Sequence, residues 1–215
     1  MSKELVKRFI SSIILIPLVL FFILKGSFFF TFFITICFFI SVFEWNKMMK
    51  NKLYKIFGLI FLLISFYTIY KIRNEFNESY VYLLLVTTIC VSTDIGGFLF
   101  GKIFKGPKIT KISPNKTYSG VIGSFLLSIF SIYFLLEIKY LNLTIELTQN
   151  LLIFIILVSS VSQIGDIIIS YFKRRSNIKD TGKIIPGHGG LLDRIDGMVF
   201  AFPFSYFLIL TNILI

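Results

Sequence analysis

Residues 170–197 read SYFKRRSNIKDTGKIIPGHGGLLDRIDG, and the reading of the whole chain turns on this segment. It gathers three of the five Asp (Asp180, Asp193 and Asp196), the only His (His188) and six Lys or Arg. Long apolar runs flank it on both sides. Charges beside a bilayer core are costly, and they are usually kept for handling substrates or ions.

Outward from this island the chain is strongly apolar. Its 215 residues are 56% hydrophobic with 27 Phe, and the mean hydropathy is +0.86, which excludes an ordinary soluble domain. A helix needs about 20 apolar residues to cross roughly 30 Å of hydrocarbon. Seven windows qualify, some of them short: roughly 9–24, 27–43, 56–70, 80–100, 119–136, 150–171 and 197–215. The expected fold is all-α, a polytopic transmembrane helical bundle of about seven spans. Within that single integral membrane unit, residues 1–79 supply N-terminal transmembrane helices. Residues 80–215 form the catalytic core with two cytoplasmic charged loops. The first window follows Lys3, Lys7 and Arg8 as a signal peptide would, but no small-x-small cleavage site follows it, so it reads as an uncleaved span.

The net charge of +11 raises the question of nucleic acid, and its distribution answers it. With loops assigned to alternate sides, 18 Lys and Arg fall on one side. They are Lys3, Lys7, Arg8, Lys47, Lys50, Lys52, Lys55, Lys102, Lys105, Lys108, Lys111, Lys116, Lys173, Arg174, Arg175, Lys179, Lys183 and Arg194. Only Lys25, Lys71, Arg73 and Lys139 fall on the other. The asymmetry is an orientation signal and places the amino terminus in the cytoplasm and the carboxyl terminus across the membrane. Cys37 and Cys90 lie inside predicted spans, where they read as small buried residues and imply no disulfide framework.

The carboxylates divide by type. All five Asp sit at the cytoplasmic ends of three spans or in the adjoining loops, while the six Glu (Glu4, Glu44, Glu75, Glu78, Glu137 and Glu146) lie at segment ends or in other loops. A short, rigid carboxylate is favoured where a hard cation is held. Asp94 shares a helical face with Thr87, Gly97 and Gly101, a pattern that fits either close packing of small residues or a functional carboxylate. Ser159, Ser162, Gln163, Asp166 and Ser170 form a polar stripe along the sixth span, which must face protein or a wet cavity. Asp193 and Asp196 are helical neighbours at i, i+3. They follow a glycine-rich turn around His188, where backbone N–H groups can approach a ligand closely. Oxygen-only ligands suit Mg²⁺ or Mn²⁺ rather than zinc.

The loop GKIFKGPKITKISPNKTYSG, residues 101–120, carries five Lys and runs into a small-residue helix. Lys side chains beside free helix N–H groups favour phosphate, although a basic loop lying on anionic lipid remains the competing reading. Carboxylates for a divalent cation beside basic loops for phosphates point to phosphoryl or nucleotidyl transfer at a membrane surface.

The segment from Ser170 to Asp196 closely resembles the signature of the phosphatidate cytidylyltransferase (CDP-diacylglycerol synthase) family, S-x-x-K-R-x(4)-K-D-x-G-x(3)-P-G-H-G-G-x-x-D-R-x-D. Ser170, Lys173, Arg174, Lys179, Asp180, Gly182, Pro186, Gly187, His188, Gly189, Gly190, Asp193, Arg194 and Asp196 all fall on it. Gly165-Asp166, the stretch ISPNKTYSG and Asp94 with Gly101 also look like family elements, so the resemblance covers roughly residues 90–200. Asn115 and Ser119 depart from the family's usual K-K-T-x-E-G, Ile169 stands where a Glu commonly precedes the signature Ser, and Gly197 replaces a usual Ser.

The resemblance implies conversion of CTP and phosphatidate to CDP-diacylglycerol and pyrophosphate. It also implies a bacterial inner-membrane location, with the site on the cytoplasmic side. Asp166 and Asp193 are expected as the principal Mg²⁺ ligands, with Asp196 and Asp180 supporting them or holding a second cation. Lys173, Arg174, Lys179 and Arg194 would bind phosphates, and His188 would donate to a phosphate oxygen. Asp94, Ser113, Lys116, Thr117, Ser170, Gly189 and Gly190 would bind substrate. The expected partners are CTP, phosphatidate and membrane lipid, with a homodimer as a candidate assembly and no nucleic acid. The alternatives are a non-catalytic lipid- or nucleotide-binding relative and an ion-coupled transporter. The D-x-x-D-G opening of the CDP-alcohol phosphotransferase motif matches residues 193–197, but no Asp lies beyond Asp196, so that reading fails.

Overall fold

The computed structural model describes residues 3–75, 79–110, 113, 116–138 and 147–211. The fold is helical: α1 (Lys3–Lys25), α2 (Ser27–Met48), α3 (Lys52–Asn74), α4 (Ser79–Phe104), α5 (Tyr118–Leu136), α6 (Gln149–Arg175), α7 (Leu192–Ile195) and α8 (Met198–Leu210). Among the described residues the only β pairing is two isolated bridges, Lys108 with Thr117 and Ile185 with Gly189. Among the described residues, each of the seven apolar windows coincides with a helix. Five of these, α2 to α6, are long and apolar enough to cross a membrane, whereas the apolar stretches at Ile13–Lys25 and Met198–Leu210 are shorter. The last window, 197–215, ends outside the described residues, as do Lys111, Pro114, Asn115, Lys139, Glu78 and Glu146.

The seventh window also opens differently from the single helix expected. α7 is one turn long and the assigned helix resumes at Met198. Asp196 and Gly197 keep right-handed helical dihedrals across the junction. The i, i+3 relation of Asp193 and Asp196 therefore survives the interruption.

The chain divides into two compact units, residues 1–80 with 172–196 and residues 81–171 with 197–215. In the first unit α2 packs against α1, α3 and α7. Trp45 organises the α2–α3 contact: its indole N–H donates to Tyr54 O at 3.0 Å, and α3 presents Gly58 where a Cβ would run into the indole ring. Phe172 meets Trp45 edge-on at 5.3 Å between ring centroids, which anchors the start of the polar segment.

In the second unit small residues bring backbones together, as expected where helices associate without a hydrophobic driving force. A Cβ at Gly97 would meet Ser124 Oγ at 3.0 Å, and one at Gly120 would meet Gly97 O at 2.8 Å, so α4 and α5 touch along a glycine seam. Gly97 thus lies in a packing contact, one of the two readings its face allowed. Gly165 of α6 lies against the Phe200 ring of α8. The polar stripe on α6 faces protein over its first half: Ser159 and Ser162 are fully buried, and Thr93 Oγ1 donates to Ser159 Oγ at 2.7 Å. Ser124 Oγ donates to Thr93 O at 2.7 Å and extends this ladder to a third helix.

Candidate active site

In the first unit the glycine-rich turn is built before any ligand is considered. Gly187 (φ 77°) and Gly189 (φ 89°) adopt the left-handed region that side-chain-bearing residues avoid. Ile185 N–H donates to Gly189 O at 2.9 Å and Gly189 N–H returns to Ile185 O at 3.2 Å, closing the loop on itself. Asp193 then locks it. Its Oδ2 accepts from Thr181 N–H at 2.8 Å and from Gly190 N–H at 2.9 Å. A Cβ at Gly189 would lie 2.8 Å from that same oxygen.

The second oxygen of Asp193 has a different partner. Lys173 is buried, and its Nζ lies 3.1 Å from Asp193 Oδ1 and 3.5 Å from Asp196 Oδ2. One ammonium thus bridges two carboxylates in a largely buried setting, where an unpaired charge would be costly. His188 Nδ1 is 2.6 Å from Ser11 Oγ, and Arg194 donates to His188 O through Nε at 3.1 Å and Nη2 at 2.8 Å. Arg174, Lys179, Asp180 and Arg194 are exposed. Arg174 Nη1 makes a long contact of 3.4 Å with Ile178 O.

The second unit holds a second carboxylate–lysine pair. Lys116 Nζ lies 2.6 Å from Asp166 Oδ2 and 3.1 Å from Gln163 O. Ser170 Oγ donates to Asp166 Oδ1 at 3.2 Å. Thr117 caps α5, its Oγ1 accepting from Gly120 N–H at 3.2 Å, and Ser113 O accepts from Lys116 N–H at 3.1 Å. Asp94 is exposed on α4. The expected residues therefore form two groups. Lys173, Asp193, Asp196, His188, Arg194, Gly189 and Gly190 belong to one, and Lys116, Thr117, Asp166 and Ser170 to the other.

Among the described residues no three His, Cys, Asp or Glu side chains converge as a ready metal cage. The donor set still fits magnesium. That ion keeps several waters and takes one or two carboxylates plus substrate phosphates rather than an all-protein cage. Asp193 and Asp196 already share one cation, the Lys173 ammonium.

The sequence reading missed Glu44. This α2 residue is 1% exposed and accepts from Thr181 Oγ1 (2.9 Å), Leu191 N–H (2.9 Å) and Leu192 N–H (2.8 Å). Two signals were available: an acidic residue directly following an apolar run, and Ser41 one turn earlier on the same face.

Comparison with known proteins extends the motif across the chain. Residues 56–212 match the model of the cytidylyltransferase family. The chain is 36% identical to the phosphatidate cytidylyltransferase of Bacillus subtilis over 156 residues, covering 70% of this chain and 55% of that protein. Against the one from Staphylococcus saprophyticus it is 38% identical over 141 residues, or 65% of this chain and 52% of that protein. Against the one from Rickettsia felis it is 33% identical over 218 aligned positions, covering 96% and 93%. The chain thus spans about half the length of the first two relatives and nearly all of the third. A match over residues 56–212 that takes in both carboxylate–lysine groups places the chain in the cytidylyltransferase family.

Proposed function

We propose that this chain transfers a cytidylyl group from CTP to phosphatidate, forming CDP-diacylglycerol and pyrophosphate. The observation that carries the reading is the Lys173–Asp193–Asp196 cluster seated in a loop that its own backbone N–H groups hold in shape. Relatives over most of this chain bear the name phosphatidate cytidylyltransferase.

The chemistry asks little of acid–base groups. An oxygen of the lipid phosphate, already anionic, attacks the α-phosphorus of CTP, and the bond to the β-phosphate oxygen breaks to release pyrophosphate. The obstacle is bringing two polyanions together and neutralising the charge that gathers on the leaving group, which positioned cations achieve. In this reading Lys173, Arg174, Lys179 and Arg194 bind phosphates and His188 donates to a phosphate oxygen. Asp94, Ser113, Lys116, Thr117, Ser170, Gly189 and Gly190 line the substrate side. Asp166 and Asp193, supported by Asp196 and Asp180, are the residues that would hold Mg²⁺, which would supply charge neutralisation and alignment.

The reading places the protein in a bacterial inner membrane with seven spans, a cytoplasmic amino terminus and a cytoplasmic site. Its support is the 18-to-4 division of Lys and Arg. The test uses the full chain in detergent with phosphatidate, Mg²⁺ and CTP labelled at the α-phosphate. Label should enter the lipid, EDTA should abolish it and Asp193→Asn should slow it by about 10²–10³-fold. Wild-type protein that binds CTP yet labels no lipid overturns the assignment. Light scattering of the same preparation tests the homodimer.

A further inference from the structure

Glu44 lies outside the stretch that matches the family model and far in sequence from every residue of the polar segment. Its position opposes two physical preferences. A carboxylate 1% exposed is costly without compensation, and near the carboxyl end of a helix the backbone dipole disfavours negative charge. Its compensation is three donors from the glycine-rich segment.

Those donors interlock with the ones that hold Asp193. Thr181 gives its N–H to Asp193 Oδ2 and its hydroxyl to Glu44 Oε2. Gly190 gives its N–H to Asp193 Oδ2, while the next two residues, Leu191 and Leu192, give theirs to Glu44 Oε1 and Oε2. Two carboxylates thus stitch the two ends of the 181–192 loop. The fit leaves no room: a Cβ at Gly182 would lie 2.6 Å from Glu44 Oε1, and one at Gly190 would lie 2.5 and 2.6 Å from the two Glu44 oxygens. Glu44 therefore crowds Gly182, and Glu44 together with the Thr181 hydroxyl crowds Gly190.

We propose that Glu44 is a positioning residue for Asp193. It fixes Thr181 and residues 190–192 so that Asp193 Oδ2 is held by backbone N–H groups, leaving Oδ1 for Lys173 or a divalent cation. The inference rests on the nucleotidyl-transfer reading above for its consequence, but not for its geometry. Both Glu44 oxygens accept, so a Gln must set its NH₂ against an N–H or O–H donor.

The test compares wild type, Glu44→Gln, Thr181→Val and Thr181→Ser as full chains in detergent, and Mg²⁺ is titrated at saturating CTP and phosphatidate. Glu44→Gln should lower kcat by about 10–100-fold and raise the Mg²⁺ midpoint about tenfold, the usual cost of losing an outer partner of a metal ligand. KM for CTP should change less than about threefold, because no substrate contact is removed. Thr181→Val should show the same pattern more weakly, and Thr181→Ser, which keeps the hydroxyl, should restore it. If Glu44→Gln does not fold, the Thr181 pair decides.

Hydrogen exchange supplies a readout independent of activity: amides 181 and 190–192 should exchange faster in Glu44→Gln under conditions where the variant remains folded. An inactive wild type overturns the functional reading and leaves the exchange result to judge Glu44. A variant with wild-type rate and Mg²⁺ midpoint overturns the proposal. So does one whose activity falls only in step with its folded fraction, or one with unaltered exchange in the loop.

Discussion

The two units each hold a lysine against an aspartate, and they hold it differently. In the first unit the Lys173 and Asp193 side chains are 10% and 4% exposed, and Asp193 is oriented by two backbone N–H groups. In the second the Lys116 and Asp166 side chains are 21% and 27% exposed, and the Asp166 side chain is braced by the hydroxyl of Ser170. A carboxylate oriented by backbone is fixed as soon as the loop folds, whereas one held by flexible side chains can exchange partners at little cost. The first pair is therefore the more rigidly held of the two, and the second the more open to exchange of partners.

Substitutions should separate the two arrangements, and Lys173→Met should have the largest effect. It leaves Asp193 and Asp196 facing each other without their shared ammonium, and breaking a buried pair costs about 3–5 kcal/mol. Thermal unfolding should fall sharply. Millimolar Mg²⁺ should restore more of it in the variant than it adds to wild type, because a divalent cation replaces the missing charge. Equal Mg²⁺ shifts in both proteins would separate the metal from Asp193 and Asp196.

Next come the two aspartates. Asp193→Asn should cost about 10²–10³-fold in kcat, the range for losing one preorganised electrostatic group, together with measurable stability. Asp166→Asn should also depress kcat. Its unfolding free energy should change by less than about 1 kcal/mol, since a part-exposed pair contributes little to stability. A stability loss in Asp166→Asn as large as in Asp193→Asn would erase the distinction between the units.

Much of this contrast was legible in the sequence. Hydrophobic length placed the described part of all seven apolar windows on helices because each helix carries its own signal along the chain. The glycine turn and the i, i+3 aspartates were legible for the same local reason. The partners of Glu44 were not, because they are backbone N–H groups and one hydroxyl more than 130 residues away. Backbone donors leave no residue type to read. Ser11 beside His188 escaped for the same reason of distance. The pairing of Lys173 with two aspartates, rather than with phosphate, became visible only once the helix and the loop were folded together.

The smallest expected effect tests where chemistry gives way to scaffolding within the α6 stripe. Ser159 and Asp166 sit seven residues apart on one helix, so they share its face, yet Ser159 is fully buried and bonded to Thr93 while Asp166 is partly open. Hydrogen bonds between membrane helices average about 0.6 kcal/mol. Ser159→Ala should therefore destabilise by roughly that amount and leave kcat within about twofold of wild type, since the small cavity and the lost bond both lie within the helix ladder. A tenfold fall in kcat at retained stability would extend the working part of the stripe by two helical turns. It would make Thr93 and Ser124, the next members of the ladder, part of the mechanism rather than its support.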